Sequence, residues 1–418
     1  IDRYIYHYLS MMQGKYAAIL VCWFLGNGCL FAWNSMTTIG DYYGYLFPRY
    51  HPSRVLTLVY QPFALGTLAI LAYNEANINT RRRNLFGYIA FFISTLLVLI
   101  LDLATSGRGG IGPFIGVCAI SAAFGVADAH VQGGMIGDLS FMLPEFLQSF
   151  LAGLAASGAL TSALRLITKA AFENSKNGLR KGAILFFAIS TFFELGCVLL
   201  YAFVFPKLPI VKYYRSKAAS EGSKTVSADL AAGGLSPGQS YEGLKDMVRL
   251  SNKELLLQNI DYAFDLFMIY ALTLSIFPGF LSEDTGSHSL GGWFKFQVCT
   301  CSYCNVQCVG SHRAICTTYK KRKVEVSEGT SYSNSITFFA RFAFYFATKY
   351  SDQGWMIMLT SFLGLSNGYL TVCVLTSAPE GYKGPEQNAL GNILVLFLLG
   401  GIFAGVTLDW LWLIGKGW

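Results

Sequence analysis

Charged residues are scarce in this chain, since Asp, Glu, Lys and Arg together make up only 13% of its 418 residues. Soluble domains carry roughly 25% of such residues, so this sequence cannot cover a water-exposed surface of ordinary size. The shortage excludes a soluble multidomain enzyme and a disordered chain. It also argues against a nucleic-acid-binding protein, because the basic residues behind the net charge of +7 lie in loops between apolar runs.

Sequence motifs for covalent chemistry are also missing. The chain contains no HExxH, Walker loop or dinucleotide fingerprint in a usable context. Its five histidines are scattered, and only His130 lies deep in an apolar run. We therefore predict that the protein is not an enzyme and uses no cofactor.

Long apolar runs are abundant instead, with 53% hydrophobic residues and a mean hydropathy of +0.44. A helix needs about 20 apolar residues to cross a membrane, and an unpaired backbone group is costly in lipid. We therefore predict an all-α polytopic membrane protein. Nine runs reach or approach the required length, namely Ala17–Ile39, Leu56–Tyr73, Leu85–Leu103, Pro113–Ile136, Phe146–Ile167, Gly182–Phe205, Ala263–Leu281, Trp355–Thr376 and Leu390–Ile414. A tenth run, Ile336–Thr348, is shorter and is interrupted by Arg341.

The distribution of basic residues predicts orientation and domain organisation. Arg81, Arg82 and Arg83 precede the third run, and many lysines and arginines lie between Pro206 and Asn259, which places both segments and the N-terminus in the cytoplasm. We expect no separate signal peptide before the first run. The predicted domains are an N-terminal six-helix bundle (1–205), a flexible cytoplasmic linker (206–257) and a C-terminal bundle (258–418). Two bundles favour a transporter with its substrate site between them, rather than a channel.

Five of the ten cysteines, at positions 299, 301, 304, 308 and 316, are crowded into a segment where an apolar run is expected. Their spacing does not match paired CxxC zinc ligands, so we predict no metal site. One allowed codon choice for Cys304–Lys320, read one nucleotide later, spells the apolar string AMYNVWDLIGRYVPLIK. Our hypothesis is that residues 294–342 are frame-shifted or mis-spliced and replace a membrane helix.

Polar side chains inside the predicted spans are candidates for function, because a charge near the membrane centre costs roughly 2.5–3.5 kcal/mol. Asn34 and Gln132 offer donors and acceptors to a neutral polar solute such as a sugar or nucleobase, and Trp33 offers a flat face for a planar ring. The alternative for these groups is hydrogen bonding and packing between helices. Five further polar residues are candidates for proton coupling or for structural roles: Asp128, Arg165, Glu194, Asp265 and Asn367.

Three segments carry a family resemblance. Leu25–Tyr43 contains the pair Trp33–Asn34, Ala127–Leu139 contains Gln132–Gly133, and Leu365–Leu370 contains the tetrapeptide SNGY. Together with stretches such as YHPSRVLTLVYQPFALGT and GPEQNALGN, they resemble equilibrative nucleoside transporters, and specifically the plant branch. The resemblance extends over nearly the whole chain except the suspect segment.

The resemblance implies a fold similar to the major facilitator arrangement, with about eleven helices in a 6 + 5 division, of which this chain shows ten or eleven. It implies transport of purine and pyrimidine nucleosides, and of nucleobases in some members. Leu30 and Trp33 would line the pocket against the base, and Gln132 would hydrogen-bond it. Family members also carry an Asp and an Arg in a WDxxGR motif of the eighth helix. The sequence as it stands lacks this motif, whereas the shifted reading supplies WDLIGR.

We therefore expect facilitated diffusion of nucleosides by alternating access, without ATP. The alternatives are a proton-coupled nucleoside symporter and a non-functional product that lacks the eighth helix. The expected partners are nucleosides and the lipid bilayer, with no nucleic acid, and the expected location is the plasma membrane.

Overall fold

The structure is a computed structural model that describes residues 14–235, 249–275 and 353–413. Several predictions concern other parts of the chain and lie outside the described residues. They are the apolar run Ile336–Thr348, the cysteine cluster of residues 299–316 and the suspected frame-shifted segment 294–342.

The described elements are all helices. The first group comprises α1 (Lys15–Thr38), the short α2 (Gly40–Leu46), α3 (Pro52–Tyr73), α4 (Thr80–Thr105), α5 (Ile111–Ser140), α6 (Pro144–Ala170) and α7 (Gly178–Leu199). Helix α7 continues through a π-helical turn, Leu200–Val204, and then a 3₁₀ turn, Phe205–Lys207. Another 3₁₀ turn, Glu75–Asn77, follows α3. The later helices are α8 (Pro209–Ser220), α9 (Ser227–Ala232), α10 (Asn252–Gln258), α11 (Ile260–Leu274), α12 (Gln353–Ser377) and α13 (Gly384–Leu413).

Seven helices in the described part of the chain are long and apolar enough to cross a membrane, and α10 with α11 forms an eighth candidate that is bent by 76°. The six runs predicted before residue 206 each coincide with one of these helices. The prediction of an all-helical, multi-pass membrane protein is therefore confirmed. The total of eleven helices and the 6 + 5 division stay predictions.

Helices α1 and α6 approach each other closely in the first group. A Cβ atom on Gly153 of α6 would lie 2.8 Å from the backbone nitrogen of Asn27 on α1. Gly26 meets the backbone of Phe150 in the same way, since a Cβ there would lie 2.8 Å from its carbonyl carbon. Small residues permit such contact between backbones, which is how helices pack without a hydrophobic driving force in lipid. This contact fixes the position of α1, which carries three of the predicted site residues.

The first group and α13 meet at one end of the helices, which we call the closed end and define by Glu75, Arg83, Asn388 and Asn392. Arg83 donates from Nη1 to Oδ1 of Asn392 over 2.6 Å. Asn388 donates from Nδ2 to Oε1 of Glu75 over 2.7 Å, and Arg249 pairs with Glu75 at 2.9 Å. All four defining side chains are buried. Hydrogen bonds therefore connect α4 with α13, and the turn after α3 with α13, across the closed end.

Helices α8 and α9, within the predicted linker 206–257, pack against the closed end. The Arg215 guanidinium is buried, bonds Asp138 of α5 at 2.5 Å and lies 3.3 Å from Asp229 of α9. It also lies over the Phe205 ring, 5.0 Å from the centroid. Burial raises the pKa of Asp229 to about 7, although Arg215 acts in the opposite direction. Arg215 thus joins both short helices to the end of α5.

The carboxylate of Glu221, just after α8, accepts a hydrogen bond from the backbone N–H of Gly384 over 2.8 Å. Gly384 is the first residue of α13, where the backbone N–H groups have no partner within the helix. A carboxylate at this position also interacts favourably with the helix dipole. Residue Glu221 therefore connects the α8–α9 segment to the last helix.

Candidate substrate cavity

A cavity of about 210 Å³ lies between the first group of helices and the group α11, α12 and α13. Residues of α1, α3, α5 and α6 form one side, and residues of the later three helices form the other. Six of the residues singled out from the sequence line it: Leu30, Trp33, Asn34, Asp128, Gln132 and Asn367. The structure therefore brings together side chains from segments more than 200 residues apart in sequence.

The aromatic wall of the cavity consists of Trp33 and Tyr60. Their rings are stacked with centroids 4.0 Å apart and an angle of 28° between the planes. Tyr60 lies two residues before Pro62, which is inside α3 and cannot donate its helical hydrogen bond. Sequence reasoning missed Tyr60, because an aromatic residue in an apolar run is usually a packing residue. Pro62 was the available sequence signal, because a proline inside a membrane span marks an irregular part of the helix.

Two glutamines provide hydrogen-bond acceptors at the cavity. The Oε1 atoms of Gln132 and Gln61 are both buried without a hydrogen-bond partner. A buried polar atom without a partner costs roughly 1–3 kcal/mol, so a ligand that donates to these atoms would recover free energy. Gln61 was another residue missed from sequence, since a glutamine beside Pro62 also fits a structural role.

Two asparagines at the cavity also bond to neighbouring helices. Asn34 donates to the Ser157 hydroxyl over 2.7 Å, which joins α1 to α6. Asn367 of α12 donates to the Thr273 hydroxyl of α11 over 2.9 Å. These amides therefore help to align the helices that form the walls of the cavity. Hydrogen bonding between helices was the alternative role considered for Asn34 from the sequence.

Asp128 is the only carboxylate among the described residues that line the cavity, and no lysine or arginine occurs among them. Its side chain is 1% exposed. The Cys29 thiol donates to Oδ1 of Asp128 over 3.5 Å, and the Tyr60 hydroxyl is also a hydrogen-bond partner. The electrostatic character of this part of the cavity is therefore acidic.

Arg165, Glu194 and Asp265 lie outside the lining residues. Arg165 is fully buried and binds both carboxylate oxygens of Asp41 at 2.9 Å, so its charge is paired. Glu194 is fully buried at the contact of α7 with α1, where its carboxyl group lies beside the backbone of Ala32. Asp265 is buried on α11.

These features define the class: a multi-pass membrane protein with a small polar and aromatic cavity between two groups of helices. Closure by interhelical hydrogen bonds at one end is what a transporter requires in one conformation of its cycle. Substrate sites of this kind are largely apolar and carry a few well-placed polar groups.

Comparison with known proteins identifies the family. The family model described as "Nucleoside transporter" matches residues 115–414. The chain is 65% identical to Equilibrative nucleotide transporter 3 and 60% identical to Equilibrative nucleotide transporter 6 of Arabidopsis thaliana, over 99% of each chain in both cases. Equilibrative nucleotide transporter 1 of the same plant is 30% identical over 95% of this chain and 86% of its own length. The chain therefore belongs to the nucleoside transporter family and to its plant-type equilibrative branch, whose members are transporters and not enzymes.

A crystal structure of tetrameric PepTSo2 covers 95% of this chain and 98% of its own, with a TM-score of 0.49 and 12% identity. So distant a likeness carries no argument about substrate or mechanism.

Proposed function

We propose that this protein moves uncharged purine and pyrimidine nucleosides across a membrane by alternating access. The observation that carries the proposal is the cavity, in which the stacked Trp33–Tyr60 pair adjoins the unpaired amide oxygens of Gln61 and Gln132. A nucleobase is planar and carries N–H donors at its edge, so it matches an aromatic wall beside hydrogen-bond acceptors. In this proposal Leu30 and Trp33 contact the base, and Gln132 hydrogen-bonds it.

The charge of the cavity favours nucleosides over nucleotides. The Arabidopsis relatives are named nucleotide transporters, whereas the family model is described as a nucleoside transporter. A phosphate group carries about −1.5 to −2 charges near pH 7 and would meet the Asp128 carboxylate. Among the described lining residues there is no lysine or arginine to bind that phosphate. We therefore assign the uncharged nucleoside as substrate, with nucleobases as a smaller ligand of the same walls.

The closed end supports alternating access. Basic residues cluster near it, including Arg81, Arg82 and Lys207, so the positive-inside rule assigns it to the cytoplasm. The conformation in hand would then be closed to the cytoplasm by the Arg83–Asn392 and Glu75–Asn388 contacts. Transport requires a second conformation in which these contacts separate. The plasma membrane is the proposed location.

Two modes of transport fit this cycle. Facilitated diffusion is the mode that the family resemblance favours, with the nucleoside gradient as the driving force. Proton symport is favoured by one observation, the presence of Asp128 in the cavity without a basic partner among the described residues. A product that lacks the eighth helix is the remaining alternative, and it depends on residues 294–342.

Uptake of labelled uridine and adenosine by cells that lack their own nucleoside uptake tests the proposal. We expect saturable uptake that unlabelled nucleosides inhibit and that nucleoside monophosphates do not. Gln132→Leu should raise the KM at least about tenfold, because a leucine cannot hydrogen-bond the base. The matched control is Gln148→Leu on α6, which makes the same chemical change at an amide that does not line the cavity. Absence of uptake by abundant surface protein, or equal effects of the two variants, would refute the proposal.

A further inference from the structure

A surface beside the closed end carries exposed positive charge outside the cavity. Its members lie at the start of α4, at the end of α7 and in the α8–α9 segment, and we call them the basic patch: Arg82, Lys207, Lys212 and Lys224. We propose that the basic patch binds the anionic headgroups of phospholipids in the membrane leaflet at the closed end. The proposal goes beyond transport, because none of these four residues lines the substrate cavity.

A backbone contact connects the α8–α9 segment to the start of α4. The N–H of Thr80, the first residue of α4, donates to the carbonyl oxygen of Thr225 over 3.0 Å. Lys224 therefore lies beside the start of α4, where Arg82 is exposed on the first turn. This contact makes neighbours of two cations that are distant in sequence.

The end of α7 joins the same surface. Arg81 donates from Nη2 to a carbonyl oxygen of the π-helical turn that follows α7 over 2.9 Å. A Cβ atom on Gly233, just after α9, would lie 2.8 Å from the Pro206 carbonyl oxygen and 3.3 Å from Cε of Lys212. Since Pro206 precedes Lys207, both lysines lie near the end of α9. The basic patch is therefore a product of the folded α8–α9 segment.

Acidic groups near the basic patch are engaged elsewhere. Asp229 is buried against Arg215. Glu221 bonds the first N–H of α13 and lies 4.0 Å from the ammonium of Lys217. The four side chains of the patch are exposed or half-buried, and none forms an ion pair within the described part of the chain. Their positive charge is therefore left for an anion from outside the protein.

The other half of the closed end is balanced in charge. Lys253 at the start of α10 and Lys383 just before α13 are exposed, and each has an exposed acidic residue within three positions in sequence, Glu254 and Glu380. Both halves lie on the same side of the membrane, so the positive-inside rule alone does not explain the contrast between them. Lys253 and Lys383 therefore provide a matched control for the lysines of the basic patch.

The basic patch lies at the depth of the lipid headgroups. Phe86 is 52% exposed one helical turn after Arg82, and Phe203 is 59% exposed one turn before Lys207. Aromatic side chains exposed on membrane spans face the lipid, so cations one turn away reach the interface. Tyr213 on α8, 41% exposed, is a further aromatic residue typical of that level. An anionic phospholipid fits this surface better than a free phosphate ion, because its acyl chains also cover the exposed rings.

Binding of a fluorescent phosphatidylserine to the purified full-length protein, in micelles of a neutral detergent, tests the proposal. From the usual contribution of a basic residue at an anionic membrane surface, K207Q/K224Q should weaken binding about ten- to thirtyfold. K253Q/K383Q makes the same chemical change at two exposed lysines of the same end and should weaken binding less than about twofold. Raising NaCl from about 50 to about 300 mM should weaken wild-type binding severalfold, because salt screens exposed charges.

Competition shows which anion the basic patch selects. Unlabelled phosphatidylserine should displace the fluorescent lipid, whereas phosphatidylcholine and millimolar inorganic phosphate should not. Displacement by phosphate would assign the surface to a soluble anion, and equal competition by phosphatidylcholine would leave charge without a role. Either result overturns the inference, and so does equal weakening in the two double variants.

Melting of the protein in lipid nanodiscs provides a second measurement. A ligand that binds only the folded state stabilises it, so about 30% phosphatidylserine in a phosphatidylcholine disc should raise the wild-type melting temperature by roughly 1–3 °C. K253Q/K383Q should show the same rise, and K207Q/K224Q should lose most of it. If K207Q/K224Q keeps the full rise, the lipid acts at another surface and the inference is wrong.

Discussion

Replacement of Arg215 by methionine should strongly destabilise the contact of α8 and α9 with the closed end. The guanidinium lies 2.5 Å from an Asp138 oxygen and 3.3 Å from an Asp229 oxygen, and all three side chains are buried. Removal of one partner from a buried ion pair costs about 3–5 kcal/mol, because the remaining charge is left without compensation. Here two carboxylates would remain. The expected free-energy cost corresponds to a loss of roughly 10²- to 4 × 10³-fold in the population of the packed segment.

Protonation of Asp229 reduces part of that cost. Its pKa is already raised to about 7, so near neutral pH the carboxyl can become neutral when Arg215 is removed. The unfolding entropy is about 2.1 cal/mol/K per residue, so for a chain of this length the full cost of about 3–5 kcal/mol would lower the melting temperature by about 3–6 °C. The measurement is the thermal stability of the detergent-solubilised protein, followed by size-exclusion chromatography with fluorescence detection.

Two comparisons decide whether the buried charges cause the effect. The triple variant R215M/D138N/D229N removes both carboxylates, and it should recover most of the lost stability. Arg82→Met makes the same chemical change at an exposed position and should alter the melting temperature very little. If Arg215→Met melts like the wild type, or if the triple variant melts no higher than Arg215→Met, the reasoning is wrong.

Three further predictions concern the cavity, the buried carboxyl group of Asp229 and the suspected frame-shifted segment. Tyr60→Leu removes the ring that stacks on Trp33, a contact of about 0.5–1.5 kcal/mol, and should raise the KM for uridine about three- to tenfold without lowering surface abundance. Because burial raises the pKa of Asp229, the folded state binds more protons than the unfolded state between about pH 4 and pH 7. The stability from this group therefore falls as pH rises through that window, and melting curves of Asp229→Asn should show a weaker pH dependence than those of the wild type. Sequencing of the transcript should show one open frame that encodes WDLIGR within residues 294–342; an uninterrupted frame that encodes the cysteine-rich segment would contradict the frame hypothesis.

The membrane helices were predictable from the sequence because the length of an apolar run is a local property. The runs before residue 206 gave the correct helices, since a polar backbone in lipid has few alternatives to a helix. Cavity residues such as Trp33 and Gln132 were found because they combine polar or aromatic chemistry with a position inside a span. The family resemblance added Leu30, whose side chain has no distinguishing chemistry of its own.

Contacts between distant residues were not predictable in this way. Arg215 lies at the start of a segment rich in Ser, Gly and Ala, and such a composition predicts a solvated linker. In the structure, however, its guanidinium is buried and donates to Asp138, which is 77 residues away in sequence. Arg165 near the end of its helix suggested a side chain that extends to the membrane surface, but Asp41, 124 residues away, pairs with it. Such pairings depend on which helices are neighbours in the folded protein, and the local pattern of residues along the sequence does not contain that information.

The closed end has one further consequence, because α5 and α13 meet there through glycines. A Cβ on Gly391 would lie 3.0 Å from the Cα of Gly137, and a Cβ on Gly137 would lie 3.0 Å from the Asn388 carbonyl oxygen. In the proposed transport cycle, each added methyl group would raise the free energy of this conformation and leave that of the conformation with separated helices unchanged. Since the ratio of two conformations depends only on their difference in free energy, the proposed cycle predicts that these glycines influence how much of the protein has the closed end shut. Alanine at either position is thus a means to enrich the opposite conformation for structure determination.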